Sequence, residues 1–342
     1  MKRYDVTIGI PVYNSVGTIN VSLLSALSQS YLSIEYLLVD DGCTDGTFEV
    51  VGKIINEHSR GNDIHVIKHQ KNKGVSASRN QIIDEAHGDY LYFMDSDDSI
   101  AANTIELMMQ NACKYNAEIV LGSYEKIETN GERIAYQYPS IQLLQKDELA
   151  TFAYRKYAGI QASACNYLLK TSVLRDNNLL FISTNYWEDL VFTFDLVTLI
   201  SRAVLLPDIT YSYICRENSL SHYQLRKSIS KDEVMQNVYA VDYLKETSSL
   251  LYNKVYFPNR CFNIVMTDFY IACNILKRRK DIYPSISDEE IKLMMTHPAS
   301  LRQILSFRQS RIKNMLLYIA GSLPSFLCVK LIWFVGKLKK LI

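Results

Sequence analysis

Three carboxylates, those of Asp95, Asp97 and Asp98, stand within four residues of one another in the chain. They follow a short apolar and aromatic run, residues 90–94, which predicts a buried β-strand. In an open α/β sheet, ligands bind beyond the carboxyl ends of the strands, so these acids are expected to face a site. A hard divalent cation would relieve their mutual repulsion and keep positions open for phosphate oxygens. The alternative is a solvated acidic turn, because a chain with 36 acidic residues contains about one such cluster by chance.

Polar segments also follow three earlier predicted strands. The strands are predicted at residues 5–10, 36–40 and 64–68, and the polar segments that follow them are residues 11–14, 41–47 and 72–80. Pro11 cannot continue a strand ladder, and Gly42 and Gly46 allow a tight loop whose backbone N–H groups can face an anion. Strands that alternate with helical segments indicate βαβ units and a mostly parallel sheet. Because four strand ends carry polar residues on the same side, we expect one shared cleft.

A second pair of acids, Glu188 and Asp189, stands just before a strongly apolar helix predicted over residues 190–200. Acidic side chains at a helix start complement the helix dipole, which is the structural alternative to a catalytic role. Between the two acidic motifs the regular α/β alternation stops, after about residue 124. The elements predicted beyond that point are a hairpin arm or irregular cover at 136–140, a helix at 146–157, short strands at 204–206 and 210–214, and helices beyond about 224.

Composition narrows the class of protein. A chain of 342 residues, 48% of them hydrophobic, predicts one large α/β domain with an extension. The formal net charge of +1 argues against a nucleic-acid partner, which would call for a basic face. Seven scattered cysteines without a C-x-x-C pair indicate reduced thiols, as in a cytosolic protein. The first apolar run ends at Pro11, so no signal peptide is expected there.

The C-terminal run Met315–Val335 is almost wholly apolar and is interrupted by Pro324 and Lys330. Its length is just sufficient to span a bilayer, but proline and lysine near the middle disfavour that. Basic residues before and after it favour a helix that lies at the surface of an anionic membrane, through residues 308–342. The alternatives are a helix pair packed on the domain, or an oligomer contact.

Five stretches, taken together in this order, resemble the family 2 glycosyltransferases, which have the GT-A fold. The stretches are Ile10-Pro11-Val12-Tyr13-Asn14, residues 39–47, Asn72-Lys73-Gly74 with Ala77-Ser78-Arg79-Asn80, Asp95-Ser96-Asp97-Asp98, and Trp187-Glu188-Asp189. The likeness covers about residues 4–220, with Cys43 where the family usually has serine. It implies an α/β fold, a Rossmann-like and mostly parallel sheet flanked by helices. The implied GT-A domain is 1–223, with a nucleotide-binding half (1–124) and an acceptor half (125–223), before a helical extension over 224–342.

The resemblance also implies roles for individual residues. The residues implied to line the pocket of a nucleotide-sugar, usually a UDP-sugar, are Pro11, Tyr13, Asn14, Asp40, Asp41, Arg79, Asp95 and Ser96. Asp97 is implied to be the direct ligand of Mn²⁺ or Mg²⁺, and Asp189 the general base, with Glu188 orienting it or holding a nearby backbone group. More weakly, Arg216, Ser219 and Ser221 are implied to lie near the diphosphate.

The function implied is inverting transfer of a hexosyl or hexosaminyl group from a nucleotide-sugar to a saccharide or lipid-linked saccharide. The expected setting is surface polysaccharide synthesis at the inner face of the cell membrane. A dinucleotide-dependent dehydrogenase is excluded because Pro11 and Asn14 stand where the glycine motif would begin. A phosphohydrolase would carry its acid pair after the first strand rather than the fourth. A degenerate module that binds a nucleotide-sugar or a partner without turnover is the remaining alternative.

Overall fold

The chain is described by a computed structural model for residues 3–155, 159–216 and 228–342. It divides into two compact units. The sheet unit comprises Met1–Leu149 and Ala162–Ser219, and the helical unit comprises Ala150–Gln161 and Leu220–Ile342. The predicted division of the sheet unit into nucleotide and acceptor halves stays a prediction.

The sheet unit contains ten strands joined in one sheet. The strands are β1 (Val6–Val12), β2 (Ile34–Asp40), β3 (Ile64–Lys68), β4 (Tyr90–Phe93), β5 (Ser99–Ile100), β6 (Ile119–Ile127), β7 (Arg133–Tyr136), β8 (Ile141–Leu143), β9 (Tyr167–Lys170) and β10 (Ala203–Ile214). The helices are α1 (Ile19–Leu27), α2 (Thr47–Glu57), α3 (Val75–Glu85), α4 (Thr104–Tyr115), α6 (Thr171–Asp176) and α7 (Glu188–Leu199), while α5 (Glu148–Arg155) begins in the sheet unit and ends in the helical unit.

The strand order is β3-β2-β1-β4-β9-β6-β10-β5, with β7 added beside β6 and β8 beside β10. Strands β1 to β4 pair in parallel, as the βαβ pattern predicts, because a helix connects each strand to the next. In the later part of the sheet β6 and β10 are parallel, whereas β5, β7, β8 and β9 run antiparallel to their neighbours. The α/β class is therefore confirmed, but the described sheet is mixed rather than mostly parallel. Five of its nine strand pairs are antiparallel, and parallel pairing is concentrated in the first half.

Two predicted elements of the second half differ from the structure. The two short strands predicted at 204–206 and 210–214 form a single strand of 12 residues, β10. Its register against β6 shifts between Leu205 and Tyr211, around Pro207. Proline has no N–H to donate to the ladder, so Pro207 interrupts the hydrogen bonding locally. The strand continues beyond it with a shifted register. Near residue 136 a hairpin forms, but its arm is β7, which ends where the predicted arm begins.

The described residues of the helical unit form most of α5, a two-stranded parallel sheet and six further α-helices. The elements are β11 (Ile229–Ser230), β12 (Ile282–Tyr283), α8 (Lys231–Ser248), α9 (Phe257–Lys277), α10 (Asp288–Met294), α11 (Leu301–Ser306), α12 (Arg311–Ser322) and α13 (Ser325–Leu338). One core cluster joins α9 to α11 through Phe257, Cys261 and Ile304. The apolar C-terminal run is divided into α12 and α13 at Pro324, which lacks the N–H that a continuous helix needs.

Within the described ranges, no helix combines the length and the apolar character needed to cross a bilayer. All seven cysteines are free thiols, in agreement with the reduced state predicted from their spacing.

Close packing between β1 and β4 depends on a glycine. Gly88 donates its N–H to Thr7 Oγ1 at 2.9 Å, and its carbonyl accepts from Thr171 Oγ1 at 2.7 Å. A methyl group at Gly88 would lie 2.6 Å from the Val6 carbonyl carbon and closer still to Thr7 N. Backbone atoms cannot move aside as a flexible side chain can, so the space excludes any side chain.

We expect Gly88→Ala to lower the free energy of unfolding by about 1–3 kcal/mol, the usual effect of overpacking. Gly17→Ala is the matched control, because a methyl group there meets no atom within 4 Å. Neither glycine has a positive φ, so only packing distinguishes the two. Urea denaturation measures both, and equal stability of the two variants would contradict the packing argument.

Candidate active site

The acidic turn Asp95–Asp98 follows β4, whose neighbour β1 runs parallel to it. One carboxylate oxygen from each of Asp95, Asp97 and Asp98 lies within 4.8 Å of the others. The side chains of Asp95 and Asp97 are 31% and 24% exposed, whereas Asp98 is buried. Three carboxylates at this spacing offer the hard oxygen ligands that Mg²⁺ and Mn²⁺ prefer. The donor set therefore fits the predicted cation.

Asp98 is held by the end of β10. Its Oδ2 accepts a hydrogen bond from the Tyr211 hydroxyl at 2.6 Å, and its Oδ1 accepts from the Ile214 N–H at 2.8 Å. Burial and the nearby negative charge of Asp95 raise the pKa of Asp98 to about 7, although both hydrogen bonds lower it. Both oxygens of Asp98 are used within the protein and the side chain is buried, so Asp98 fixes the turn in place. Asp95 and Asp97 are partly exposed and can be reached by a ligand.

Asp97 is paired with a cation of the protein itself. The Arg216 guanidinium contacts Asp97 Oδ2, and it stands two residues beyond the end of β10. A metal ion at Asp97 therefore has to compete with Arg216 or share the carboxylate with it. Of the residues predicted near the diphosphate, Ser219 and Ser221 lie outside the described residues.

Arg79, on α3, joins the two acidic motifs. Its Nη2 donates to Asp95 Oδ1 and its Nη1 donates to Glu188 Oε1, each at 2.9 Å. The side chain is 5% exposed and its guanidinium stands 5.3 Å from the centre of the Phe181 ring. Burial lowers the pKa of Arg79, but the carboxylates outweigh it and hold the pKa well above its usual value. The Arg79 bridge thus brings the metal-fitting acids and the start of α7 into one site.

The predicted base, Asp189, is the second residue of the helix α7. Trp187 precedes this helix with φ 62°, a left-handed conformation that is unusual for a bulky residue and turns the chain into the helix. Asp189 is partly exposed, and its Oδ1 accepts from the Leu190 N–H at 2.7 Å. The surrounding protein removes part of the hydration of the Asp189 carboxyl group. This desolvation and the negative charge of Glu188 raise the pKa of Asp189 to about 7, against the opposing effect of Arg79. A carboxylate with this pKa suits proton abstraction near neutral pH.

Glu188 contacts a partner that the sequence did not suggest. It is buried, and the hydrogen bond it accepts comes from Arg79 rather than from Asp189 or a nearby backbone group. Adjacent residues at the start of a helix diverge by about 100°, so the two acids serve different neighbours.

Two acids at the end of β2 hold loops of the protein. Asp41 is buried, with Oδ1 sharing a hydrogen bond with His69 Nδ1 at 2.7 Å and accepting from Lys73 N at 2.8 Å. Its Oδ2 accepts from Gly74 N at 2.9 Å. Asp40 accepts from the Cys43 N–H at 2.8 Å through Oδ1. Both carboxylates therefore shape the loops around the predicted nucleotide pocket.

The remaining pocket residues stand at the ends of β1 and β4. Pro11 is paired with Val39 inside the sheet. Tyr13 is 50% exposed, and Asn14 has φ 46° with its Oδ1 accepting from Thr44 N at 2.9 Å. Ser96 Oγ lies 2.8 Å from Ser15 Oγ. The exposed Tyr13 ring provides an apolar face at this edge of the sheet.

Sequence reasoning missed two residues that support the site. Tyr211 holds Asp98 and also accepts from the Asp95 N–H at 3.3 Å, and His69 holds Asp41. Tyr211 is one of 24 tyrosines and belongs to no motif, so nothing in its surroundings distinguishes it. His69 directly follows β3, and its position at a strand end is the one signal that could have indicated it.

This fold and this pair of acidic motifs define a glycosyltransferase of the GT-A class. The family profile named Glycosyl transferase family 2 matches residues 7–175. A UDP-Glc:alpha-D-GlcNAc-diphosphoundecaprenol beta-1,3-glucosyltransferase of Escherichia coli, WfgD, is 30% identical over 198 residues, which cover 54% of this chain and 76% of that protein. The chain belongs to glycosyltransferase family 2. An uncharacterized glycosyltransferase of Haemophilus influenzae is 35% identical over 129 residues, 38% of this chain and about half (50%) of that relative.

Two solved structures resemble the fold. Staphylococcus aureus TarS 1–349, in complex with UDP-GlcNAc, has a TM-score of 0.57 at 18% identity, covering 93% of this chain and 90% of that one. The mannosyltransferase PcManGT of Pyrobaculum calidifontis, in complex with GDP-Man and Mn²⁺, has a TM-score of 0.51 at 14% identity. The match covers 98% of this chain and 88% of that one. The likeness confirms the GT-A fold predicted from the motifs.

The hydrogen bonds of Arg79 to Asp95 and Glu188 are expected to contribute to the free energy of unfolding. Arg79→Met keeps the bulk of the side chain but leaves Asp95 and Glu188 without their cation, so we expect the free energy of unfolding to fall by about 3 kcal/mol. Arg3→Met is the control, because the Arg3–Asp89 pair is 83% and 56% exposed and such pairs contribute about 0–1 kcal/mol. Chemical denaturation at low salt compares the two. Similar losses in both variants would mean that water replaces the Arg79 bridge.

Proposed function

We propose that the chain is an inverting, metal-dependent hexosyl- or hexosaminyltransferase that takes its sugar from a UDP-linked donor. The observation that carries this proposal is the Arg79 bridge, which joins an acid cluster suited to a cation with Glu188. The next residue, Asp189, is the separate carboxylate with a pKa of about 7. A cation site and a separate base are the minimum set that displacement of a nucleoside diphosphate requires.

In the proposed reaction, the acceptor hydroxyl oxygen forms a bond to the anomeric carbon of the donor sugar. The bond between that carbon and the diphosphate oxygen breaks, and the nucleoside diphosphate leaves with the electron pair. Asp189 takes the proton from the attacking hydroxyl. Attack from the side opposite the leaving group inverts the anomeric configuration. Glu188 acts as a positioning residue, because it is buried and holds Arg79.

The metal site of the proposal is Asp97, with Asp95 beside it. The chemistry that a bound Mn²⁺ or Mg²⁺ supplies is neutralisation of the charge on the diphosphate. Support comes from the oxygen donors within 4.8 Å and from the Mn²⁺ in the PcManGT structure. Arg216 pairs with Asp97, so it is the residue best able to exchange that carboxylate for a phosphate oxygen.

The nucleotide pocket of the proposal lies between the ends of β1, β2 and β4. The residues proposed to line it are Pro11, Tyr13, Asn14, Asp40, Asp41, Arg79, Asp95 and Ser96. The exposed Tyr13 ring is suited to stack on the base, whereas Asp40 and Asp41 act mainly by holding the loops.

The proposed acceptor is a saccharide or a lipid-linked saccharide used in surface polysaccharide synthesis. The relative WfgD, whose name specifies a UDP-Glc donor and a diphosphoundecaprenol-linked acceptor, supports this choice. A lipid-linked acceptor places the reaction at the cytoplasmic face of the membrane, with contact through residues 308–342. A screen of nucleotide-sugars, scored by release of the nucleoside diphosphate with each acceptor, tests the proposal. Binding of a nucleotide-sugar without release would instead indicate a non-catalytic module.

Metal binding is expected to depend on Asp97. Asp97→Asn should weaken Mn²⁺ binding in the presence of UDP at least tenfold, because a neutral amide is a poor ligand for a hard cation. Asp89→Asn, which removes an equal charge from an exposed surface position, should bind Mn²⁺ as the wild type does. Titration followed by Mn²⁺ electron paramagnetic resonance reads binding without relying on activity. Unchanged affinity in Asp97→Asn, or full turnover in EDTA, would contradict the assignment.

The base is expected to control the acid limb of the pH profile. Asp189 accepts a proton only when ionised, so kcat/KM should fall about tenfold per pH unit below about 7 and level off above it. Asp189→Asn should bind the donor normally, melt near the wild type and lose about 10²–10⁴-fold in kcat. A flat profile between pH 5.5 and 7.5, or an Asn variant with more than about a tenth of the wild-type kcat, would require another base.

A further inference from the structure

The exposed side of α13 is unusual for a helix of a water-soluble domain. Its inner side packs within the helical unit through Cys328, Val329, Ile332 and Gly336, which are buried. On the outer side, one row consists of Leu327, Leu331, Phe334 and Leu338, at 37–69% exposure. These residues follow the i, i+4, i+7, i+11 spacing of a single helix face. A face of this kind is normally polar, so this one calls for a partner.

A second row lies beside the first on the same helix and combines aromatic rings with lysines. It consists of Phe326, Lys330, Trp333 and Lys337, again at helical spacing. The Lys337 ammonium stands 4.0 Å from the centre of the Trp333 ring, and that of Lys330 stands 5.9 Å from the Phe326 ring. Aromatic rings and lysines side by side are typical of helices at a membrane–water interface, where tryptophan lies at the headgroup level.

The preceding helix, α12, presents a similar row. Ile312, Leu316 and Ile319 are 75%, 64% and 50% exposed and follow the i, i+4, i+7 spacing. Arg311 and Lys313, both exposed, stand on either side of this row at the start of the helix. Two consecutive helices thus carry the same combination of exposed apolar residues and cations.

Charge identifies the partner. From Arg311 to Ile342 the sequence has six lysines and arginines and no acidic side chain. The Glu289 carboxylate reaches the start of α13, where it accepts a hydrogen bond from Ser325. A second copy of the same face would bring these cations together and repel itself. An anionic lipid surface, in contrast, attracts each lysine or arginine and accepts the apolar side chains. With 14 residues, α13 is about 21 Å long, too short to cross a hydrocarbon core of about 30 Å.

We propose that the exposed side of α13, together with the apolar row of α12, is a docking surface for an anionic bilayer. The helices lie in the plane of the interface, with Leu331, Phe334 and Trp333 at the level of the acyl boundary and the lysines at the lipid phosphates. This inference deepens the membrane contact that is part of the proposed function, and it does not depend on glycosyl transfer.

The test uses the full chain and vesicles of phosphatidylcholine, either alone or with phosphatidylglycerol. The chain contains two tryptophans, so Trp333 is a built-in probe. We expect cosedimentation and a blue shift of tryptophan fluorescence with the anionic vesicles at low salt, and weak binding to the neutral ones. Trp333→Phe should remove the blue shift, because the remaining tryptophan, Trp187, does not lie on this face. Cosedimentation should persist, because most of the apolar surface is unchanged.

Paired variants separate the two components of the surface. Leu331→Gln with Phe334→Gln should lower the partition coefficient at least tenfold on anionic vesicles. Lys330→Gln with Lys337→Gln should lower it about 25-fold, since each lysine near an anionic surface contributes about fivefold. The control for the apolar pair is Leu250→Gln with Tyr252→Gln, at 85% and 56% exposure, and the control for the lysine pair is Lys53→Gln with Lys114→Gln. Both controls should bind as the wild type does.

Light scattering and donor consumption complete the test. If the full chain ignores anionic vesicles and forms a dimer that the Leu331→Gln, Phe334→Gln variant loses, the face belongs to a second copy and the proposal is wrong. Equal binding of the control and test variants would also overturn it. Release of the nucleoside diphosphate with a soluble acceptor, measured without vesicles, reports the transfer function separately, so failure of one proposal is distinguishable from failure of the other.

Discussion

The site depends on one buried cation between two carboxylates. Arg79 donates to Asp95 and Glu188 at the same distance, 2.9 Å, from two nitrogens of one rigid guanidinium. The fork shape of arginine makes this possible, and a lysine, with a single nitrogen, would not hold both acids in fixed directions. Without the cation, two acids of like charge in a poorly hydrated site would repel each other and draw in water or protons. The position of the base relative to the metal-fitting turn is therefore set by an ion bridge and not by the loops alone.

The acids near the strand ends divide into those that hold the protein and those that remain available. Asp41 accepts hydrogen bonds from two backbone N–H groups and shares one with His69, and Asp98 accepts from Tyr211 and Ile214. Both are buried, and each uses its oxygens to connect neighbouring segments. Partly exposed carboxylates such as Asp97 and Asp189 retain access to solvent. A cluster of acids in a sequence thus overstates the number of ligands, because the fold uses some of them for support.

The first half of the fold and the acidic motifs were predictable because they rest on local patterns. Each parallel strand of the βαβ units is marked by its own apolar run and by the polar residues that follow. Contacts between distant segments were not predictable in the same way. The pairing of Glu188 with Arg79 depends on how α3 and α7 meet, and the role of Tyr211 depends on β10 passing the acidic turn. Pro207 misled the prediction of β10 because a local break in the pattern was absorbed as a register shift.

The cation–π contacts on α13 explain how so apolar a face can exist in water. The ammonium groups of Lys330 and Lys337 stand over the Phe326 and Trp333 rings, at 5.9 and 4.0 Å from the ring centres, and give these exposed rings a polar partner. At an anionic surface the same ammonium groups can turn to lipid phosphates, which frees the rings to enter the interface. Exchange of one partner for another needs only rotation of side chains, since α13 keeps its inner side packed by Val329 and Ile332. The face is therefore compatible with exposure to water and with contact with a membrane. The charge of the membrane surface sets the balance between these two states.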